Sequence, residues 1–578
     1  MLHDYYKDRT LLVAGATGFV GQALVAKLLA DLSSVRRVFV LIRPRTRVDG
    51  VIISADERLQ EFFEASVFRP LRGRPEDFSR AREKVIAVTG DLTLPGLGIS
   101  PEQRKILEVE VDTIFNSAAT VVFDEPLDVS LKMNTNGPLA LLELARSCAK
   151  DVDFVHISTA YVNGQLTGSI PEEMLPPGHT VRDVVDFFAV KERALQAAGE
   201  SRFAALADVP GHFDPEAEIA DCEEFCRSVY EDSRSPAREA EFRRGIDSER
   251  RKHTMTPAQM ERRIEDRRDK WIEQRLVSEG MARAKGYGWN DIYTFTKALG
   301  EQMLVKHRGD QVLAIVRPSI IESSLVDPEP GWITGLKVMD PLITAYGRGL
   351  LPDFPAARNL TIDLIPVDIV VNVTLAAATQ AIAGQVRIFQ VATGSENPVR
   401  LTTIFSSVRD HFLRNPLRDR DGRAPSLRQW SYPSVRRFKL IFYLKYLIPI
   451  SAEEWILDKL PESLSKPRKR RLLASLKVRL KRVLYYADIY QPYTHLHCAF
   501  ETKRTREMYE KMPVAEKELF NADVTRIDWP SYMTDIHVPG LRRHVLKDEV
   551  RNQEADVDAE FDPVSGRESN DMLADEAL

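Results

Sequence analysis

Cysteine is scarce, with four in 578 residues. That excludes a disulfide scaffold and suits a reducing compartment. No window holds the roughly 18 uncharged apolar residues that a membrane-spanning helix needs. The opening residues MLHDYYKDRT lack the basic start and apolar run of a secretory signal, so a cytoplasmic protein is expected. A surplus of either charge is also missing. Eighty basic side chains face 85 acidic ones, for a formal charge of −5, which argues against a nucleic-acid binder. No repeat recurs at solenoid period. What remains is the balance of a globular chain, 44% apolar and 29% charged, long enough for at least two packed units.

Short apolar runs alternate with helix-length segments. The runs are Leu11–Val13, VRRVFVLIR (35–43), KVIAVTGD (84–91), VDTIFNSAA (111–119), DFVHISTAYVNG (153–164) and QVLAIVRPSII (311–321), with NGPLALLELARSCAK (136–150) the clearest helix between them. Strands apolar on both faces and alternating with helices predict a parallel sheet covered on both sides. The right-handed crossover rule makes this an α/β, doubly wound Rossmann-type domain. From about 165 to 286 strand formers thin out and charge rises, which predicts a large helical insertion. Within it, residues 255–280 read as one helix, capped by Thr256, opened by Pro257 and ended by Gly280. Met260, Ile264 and Trp271 lie near one stripe, and a solvated insertion is expected rather than a partner-binding helix. The expected organisation is therefore a nucleotide-binding domain over 1–399 and a mainly helical second domain over 400–547. Residues 548–578, with eleven acidic and two basic side chains, are expected to form a disordered tail.

The loop Gly15-Ala16-Thr17-Gly18-Phe19-Val20-Gly21 follows the first strand and opens a helix. Its first glycine allows a tight turn and its second lets backbone approach a pyrophosphate. Its third allows close helix–strand packing, and the helix start presents free N–H groups to the anion. An NAD site usually carries an acidic residue at the end of the second strand, to bind the ribose 2′-hydroxyl. Here that position reads LIRPRTR, with Arg43, Arg45 and Arg47. Arginine there binds a 2′-phosphate and stacks on adenine, so NADPH is the expected cofactor, with Arg43 as its main contact and Arg47 nearby.

Tyr293-Thr-Phe-Thr-Lys297 supplies the chemistry. At i and i+4 on a helix the phenol and the ammonium share a face. The positive charge is expected to lower the phenol pKa toward a range useful for proton transfer, and the lysine can hold the nicotinamide ribose. The third member should be a hydroxyl at the end of a central strand, where HISTAYVNG offers Ser158 and Thr159.

GATGFVG, STAYVNG and YTFTK together resemble the extended short-chain dehydrogenase/reductase superfamily. In that family the catalytic Ser/Thr lies five residues before the glycine closing this segment, which selects Thr159, with Ser158 as runner-up. The resemblance implies further roles. Asn134 orders backbone and water near the lysine, Asp91 and its neighbour Leu92 meet adenine, and Asn116, Ser117 and Ala118 run along the cofactor. Arg317, Pro318, Ser319 and Ile320 form the turn facing the carboxamide. Ala14 stands where the family often has threonine, which removes a hydroxyl that helps fix the glycine turn.

GATGFVGQALVAKLL, FVLIRPR, NSAATVVFDEPL, YGWNDIYTFTKALGEQML, IVRPSIIESSLVDPEPGWITG, DLIPVDIVVN and DVTRIDWPSYMTDIHVPGLRRHVL resemble alcohol-forming fatty acyl-CoA reductases, particularly the bacterial kind. The resemblance runs to about residue 547; the charged insertion departs from it most. It implies that a long-chain fatty acyl-CoA, or an acyl carrier protein thioester, is reduced by two NADPH through an aldehyde to the alcohol. Thr159 and Tyr293 would hydrogen-bond the developing oxyanion, and no cysteine is framed by a base for a covalent thioacyl route.

Three other readings compete. One is a reductase that stops at the aldehyde, which the lack of an upstream adenylation or carrier domain disfavours. A nucleotide-binding scaffold without catalysis is disfavoured by the intact Thr159, Tyr293 and Lys297. A sugar-nucleotide epimerase is disfavoured by the arginines. FKLIFYLKYLIPI (438–450) is too short and lysine-marked to span a bilayer, and KPRKRRLLASLKVRLKR (466–482) carries nine basic residues and no acid. The first could line the acyl site or lie at a membrane interface; the second points to peripheral contact with anionic lipid, to coenzyme A phosphates, or to a solvated helix face. His495-Leu496-His497-Cys498 matches no zinc spacing, so no metal is expected.

Overall fold

The computed structural model describes residues 1–547 apart from 48, 199–201, 208, 249–254, 352, 381, 419–421 and 460–466; the expected acidic tail lies outside the described residues. Seven strands form the main sheet: β1 (Thr10–Ala14), β2 (Arg37–Ile42), β3 (Val85–Thr89), β4 (Thr113–Asn116), β5 (Asp153–Ile157), β6 (Leu313–Pro318) and β7 (Val386–Val391). Their order is β3-β2-β1-β4-β5-β6-β7 and every pairing is parallel. Val13 of β1 sits opposite Val40 on one side and Phe115 on the other. The chain winds outward from β1 to β3, then crosses back to start β4 on β1's free side. That switch opens a crevice at the carboxyl ends of β1 and β4, where α/β sheets bind ligands. All five β1 residues are buried, as strands covered on both faces must be.

The insertion is helical as expected, but its role as a solvated appendage is not what the structure has. Helices Pro215–Ser233 and Pro257–Gly286 pack Ile219, Cys222, Val229, Ile272 and Leu276 into one apolar core with Leu127, Leu131 and Ile292. The long helix runs past Gly280 to Gly286. Gly280 is an interior contact point, where an added Cβ would lie 2.7 Å from the Ile292 side chain. Packing, rather than a helix stop, accounts for this glycine. Thr256 caps the helix as expected, accepting from the Gln259 N–H. Ile264 of the anticipated stripe is buried, with Met260 and Trp271 around it, against Phe242 and Ile246.

Beyond residue 400 the chain is mainly helical. It shares a continuous core with the sheet's flanking helices, joining Leu24 and Val370 to Phe405, Trp430, Tyr532 and Val538. Among the links that bind it to the rest are a parallel pairing of Cys498–Phe500 with Gly168–Ile170 and fully buried His537, whose Nε2 lies 3.0 Å from Asp340. Among the described residues no helix is long and apolar enough to cross a membrane.

Candidate active site

The glycine loop is built for close approach. Gly15 has φ +79°, and a Cβ there would lie 2.5 Å from the Ala118 backbone nitrogen; one on Gly21 would lie 2.0 Å from the Gly15 carbonyl oxygen. The Gly18 N–H donates to that same oxygen at 3.0 Å, and the helix Phe19–Asp31 starts immediately after Gly18. Thr17 presents its carbonyl to Gln22, and Val20 is half-buried. Phe19 is buried by stacking on Trp332 at 5.2 Å. The hydroxyl missing at Ala14 is compensated from the neighbouring strand: the Ser117 N–H and hydroxyl both donate to the Ala14 carbonyl. Asn116 accepts from the Ala118 N–H at 3.2 Å, which shapes the loop alongside the glycines. A free helix start, a bare glycine cradle and this loop together fit a dinucleotide.

At the end of β2, Arg43 Nη1 lies 3.9 Å from Asp91 Oδ2. The other Asp91 oxygen accepts from the Thr93 N–H and hydroxyl, and Leu92 packs beside Gly137. Arg47 stands in a short hairpin beside Asp49 at 3.6 Å, and Arg45 faces Glu61 at 3.4 Å. A fourth arginine, Arg58, donates to the Arg43 carbonyl at 2.5 Å. Its position on the next helix carried no signal in the sequence.

Tyr293 and Lys297 stand on the helix Ile292–His307. Asp291 caps it by accepting from the Thr294 N–H at 2.8 Å. Thr159 caps the turn after β5, accepting from the Tyr161 N–H at 3.2 Å and donating to the Pro318 carbonyl at 3.5 Å. Its hydroxyl also lies near enough to Tyr293 to act on the phenol's pKa, whereas the Ser158 hydroxyl is buried with no hydrogen-bond partner among the described residues. Thr159, Tyr293 and Lys297 are thus brought together. The Lys297 ammonium donates to the Ile157 carbonyl at 2.8 Å, and burial brings its pKa down to about 8. For Tyr293 the outcome differs from the expected lowering. Burial pushes the phenol well above its ordinary value, with nearby Thr159 opposing the shift and the Asp291 charge adding to it.

Asn134 does not touch Lys297. It sits in a π turn, accepts from the Thr120 N–H and donates to the Thr120 carbonyl and the Thr296 hydroxyl, each at 3.1 Å. It therefore ties the catalytic helix to the cofactor-side loop through Thr296. Arg317 turns away from the expected carboxamide turn: its guanidinium pairs with Glu301 at 3.0 and 2.5 Å, both side chains buried. Pro318 meets Thr159, the Ser319 N–H bonds Val391, and Ile320 pairs with Leu364 beside the crevice.

Four aromatic or acidic neighbours were not singled out in the sequence. Phe123 lies 6.1 Å from the Tyr293 ring and stacks on Tyr493 at 5.2 Å. Tyr493 also meets Tyr161, and its hydroxyl donates to Asp291. Burial raises Asp291 to about 6. From this wall a small cavity of about 50 Å³ extends, lined by Tyr161, Ile320, Leu342, Phe405, Trp430 and Tyr490 among others. Tyr161, Phe123 and Asp291 lie within the stretches STAYVNG, NSAATVVFDEPL and YGWNDIYTFTK that carry the resemblance, without a role assigned there; Tyr493 comes from a distant stretch without a motif. Burial pushes the thiols up, Cys148 to about 11 and Cys226 and Cys498 to about 12, against thiolate chemistry. His495 bonds Thr494 and the Gln491 carbonyl.

The seven-stranded parallel sheet, the glycine cradle and the hydroxyl–phenol–ammonium set define an extended short-chain dehydrogenase/reductase with a nicotinamide-type dinucleotide site. Residues 13–374 match the family described as male sterility protein with an NAD-binding domain, and residues 467–548 match its second module. The chain belongs to this family of fatty acyl-CoA reductases. It is 31% identical over 555 residues to Fatty acyl-CoA reductase 1 of Arabidopsis thaliana, covering 94% of this chain and 99% of that one. It is 28% identical to the Alcohol-forming fatty acyl-CoA reductase of Simmondsia chinensis, covering 94% and 98%. Further relatives come from animals, so the expected narrowing to a bacterial kind is not supported. The terminal R domain of the myxalamid PKS-NRPS pathway shares the fold, with a TM-score of 0.50 at 15% identity over 93% of this chain and 91% of that one.

Proposed function

We propose that this protein reduces long-chain fatty acyl-CoA to fatty alcohol, using two NADPH and passing through the aldehyde. The observation that carries the reading is the apolar cavity, which starts at Tyr161 and Ile320 beside the catalytic set and reaches Phe405 and Trp430. Those two rings stack at 3.8 Å and both meet the Tyr346 ring. A long alkyl chain is the ligand such a wall suits. The choice of NADPH rests on Arg43 facing Asp91, with Arg45, Arg47 and Arg58 around it. Four guanidinium groups favour a 2′-phosphate over a bare hydroxyl.

Thr159 and Tyr293 present two hydroxyl donors to a carbonyl oxygen that gains negative charge. A bound reduced nicotinamide supplies the hydride. Burial keeps Tyr293 protonated at neutral pH, so it acts as the acid that hands its proton to the alkoxide. The thiols stay protonated and none is needed: the coenzyme A thiolate leaves from the tetrahedral hemithioacetal, and the aldehyde then meets the same two donors. Lys297, charged below about pH 8, stands where it can hold the ribose and support Tyr293.

The test is an assay that follows cofactor oxidation and alcohol together on a long-chain acyl-CoA. Two NADPH per alcohol are expected, with Arg43→Glu cutting the preference for NADPH over NADH at least about tenfold, the loss of one charge-assisted contact. Aldehyde accumulating at one NADPH per thioester, or an unchanged preference in the variant, overturns the corresponding part of the reading.

A further inference from the structure

The helix pair formed by 435–459 and 467–489 carries an exposure pattern found nowhere else in the described chain. The first arm runs through Val435–Phe442, a π turn at Tyr443–Leu447, and Ile448–Lys459. The second is Pro467–Ile489. They pack through Ile450, Leu457, Leu473 and Leu480, reinforced by ion pairs from Lys469 to Glu453 and Lys477 to Glu454. Outside this seam, large apolar side chains point to solvent. Leu440, Leu444, Ile448 and Trp455 follow helical spacing on the first arm, at 60, 57, 54 and 64% exposure; Leu472 and Val478 on the second reach 65 and 67%. Eleven of the exposed large apolar residues in the described chain fall between 440 and 485. Soluble chains rarely leave so dense an apolar patch in water.

The charge around the patch identifies what covers it. Arg436, Arg437, Lys445, Lys481 and Arg482 are exposed on the same two arms. Acidic residues are few there, and Glu453, Glu454 and Asp488 are each paired with a lysine of the helix pair. Apolar side chains rimmed by lysine and arginine match an anionic lipid surface, whose acyl boundary takes the first and whose headgroups take the second. The helix pair also roots in the cavity. Its second arm ends at Tyr490, which lines the cavity wall, and Phe438 of the first arm packs 6.1 Å from Phe354, another lining residue.

We infer that the paired helices over 435–459 and 467–489 dock this protein onto the surface of an anionic bilayer, lying in the interface without spanning it. The link from that surface to the cavity rests on the acyl-CoA reading; the docking itself does not. The experiment is flotation of the full-length protein with phosphatidylcholine vesicles, with and without phosphatidylserine, at low and high salt. The wild type is expected to float with the serine-containing vesicles and to lose binding as salt rises. The exposed double variant Leu444→Glu/Leu472→Glu should bind at least about tenfold less, because two apolar anchors are replaced by charges that the anionic surface repels. Its circular dichroism and its turnover of a detergent-dispersed substrate should be unchanged. Wild type that stays with the protein fraction in every vesicle, or a double variant that floats equally well, overturns the docking. So does a patch that instead drives dimerisation in light scattering, lost in the same variant without any vesicle binding. An inactive protein that still floats leaves the docking intact and counts against the acyl-CoA reading alone.

Discussion

Tyr293 and Lys297 share a helix face, yet the structure gives them different electrostatic tasks. Burial holds the phenol protonated and drains the ammonium toward neutrality, to about 8. A base whose folded pKa is lowered is charged only below that value. If the cation is what holds substrate or ribose, kcat/KM falls as pH rises through about 8. The fall should come in a single limb, read from initial rates of the free enzyme. Tyr293→Phe removes the acid and one oxyanion donor while leaving the ring contacts with Phe123. It should cut kcat by about 10²–10⁴-fold with cofactor binding little changed, measured by steady-state rates alongside fluorescence titration of NADPH. The spacing of these two residues was legible because i and i+4 is a backbone property. Their pKa values were not, because the burial that dominates both shifts is a property of the packed chain and not of local spacing.

At the scale of elements, the seven strands were readable because residues apolar on both faces can sit only in a covered parallel sheet. The ends of helices were less so. Gly280 looked like a stop and proves to be an opening for Ile292, a distinction made by a partner 12 residues away rather than by local propensity. Gly300 shows the same principle where it matters for chemistry. On the helix that bears Tyr293, a Cβ at Gly300 would lie 2.2 Å from the Asn134 carbonyl oxygen, a backbone atom that cannot swing aside. Gly300→Ala should therefore push that helix off the π turn, costing roughly 1–3 kcal/mol of stability. Turnover should fall with it, while Gly286→Ala, which meets nothing within 4 Å, serves as the silent control. Thermal unfolding and kcat on both variants check this.

On the scale of the whole molecule, two distant parts meet at a buried cluster that no motif announced. Glu322, on the strand pair after β6, has both carboxylate oxygens buried without a hydrogen-bond partner among the described residues. It lies 3.7 Å from His537, which also bonds Asp340. Burial pushes the Glu322 carboxyl up, with Asp340 adding to it. For His537 burial pulls down, but the bond to Asp340 outweighs it and the imidazole ends up raised. An acid with a raised folded pKa takes up a proton on folding, so its favourable contribution is lost as pH climbs above its unfolded value. A raised histidine contributes fully below its unfolded value and loses that contribution as pH rises through its folded one. Both effects weaken the folded state toward alkaline pH. Glu322→Gln should shrink the loss of unfolding free energy between about pH 6 and about pH 9 by roughly 1–2 kcal/mol, seen in denaturant titrations at the two pH values. These residues are 215 positions apart in sequence, which is why only the folded chain reveals them.

The hydroxyl of Tyr493 reaches back to Asp291, the residue that caps the catalytic helix. During synthesis the ribosome delivers the glycine cradle first and Tyr493 only after most of the polypeptide has emerged. Because the C-terminal part shares one apolar core with the helices that flank the sheet, the brace on the proton donor is set only when nearly the whole polypeptide is present, and cradle and reaction chamber mature together.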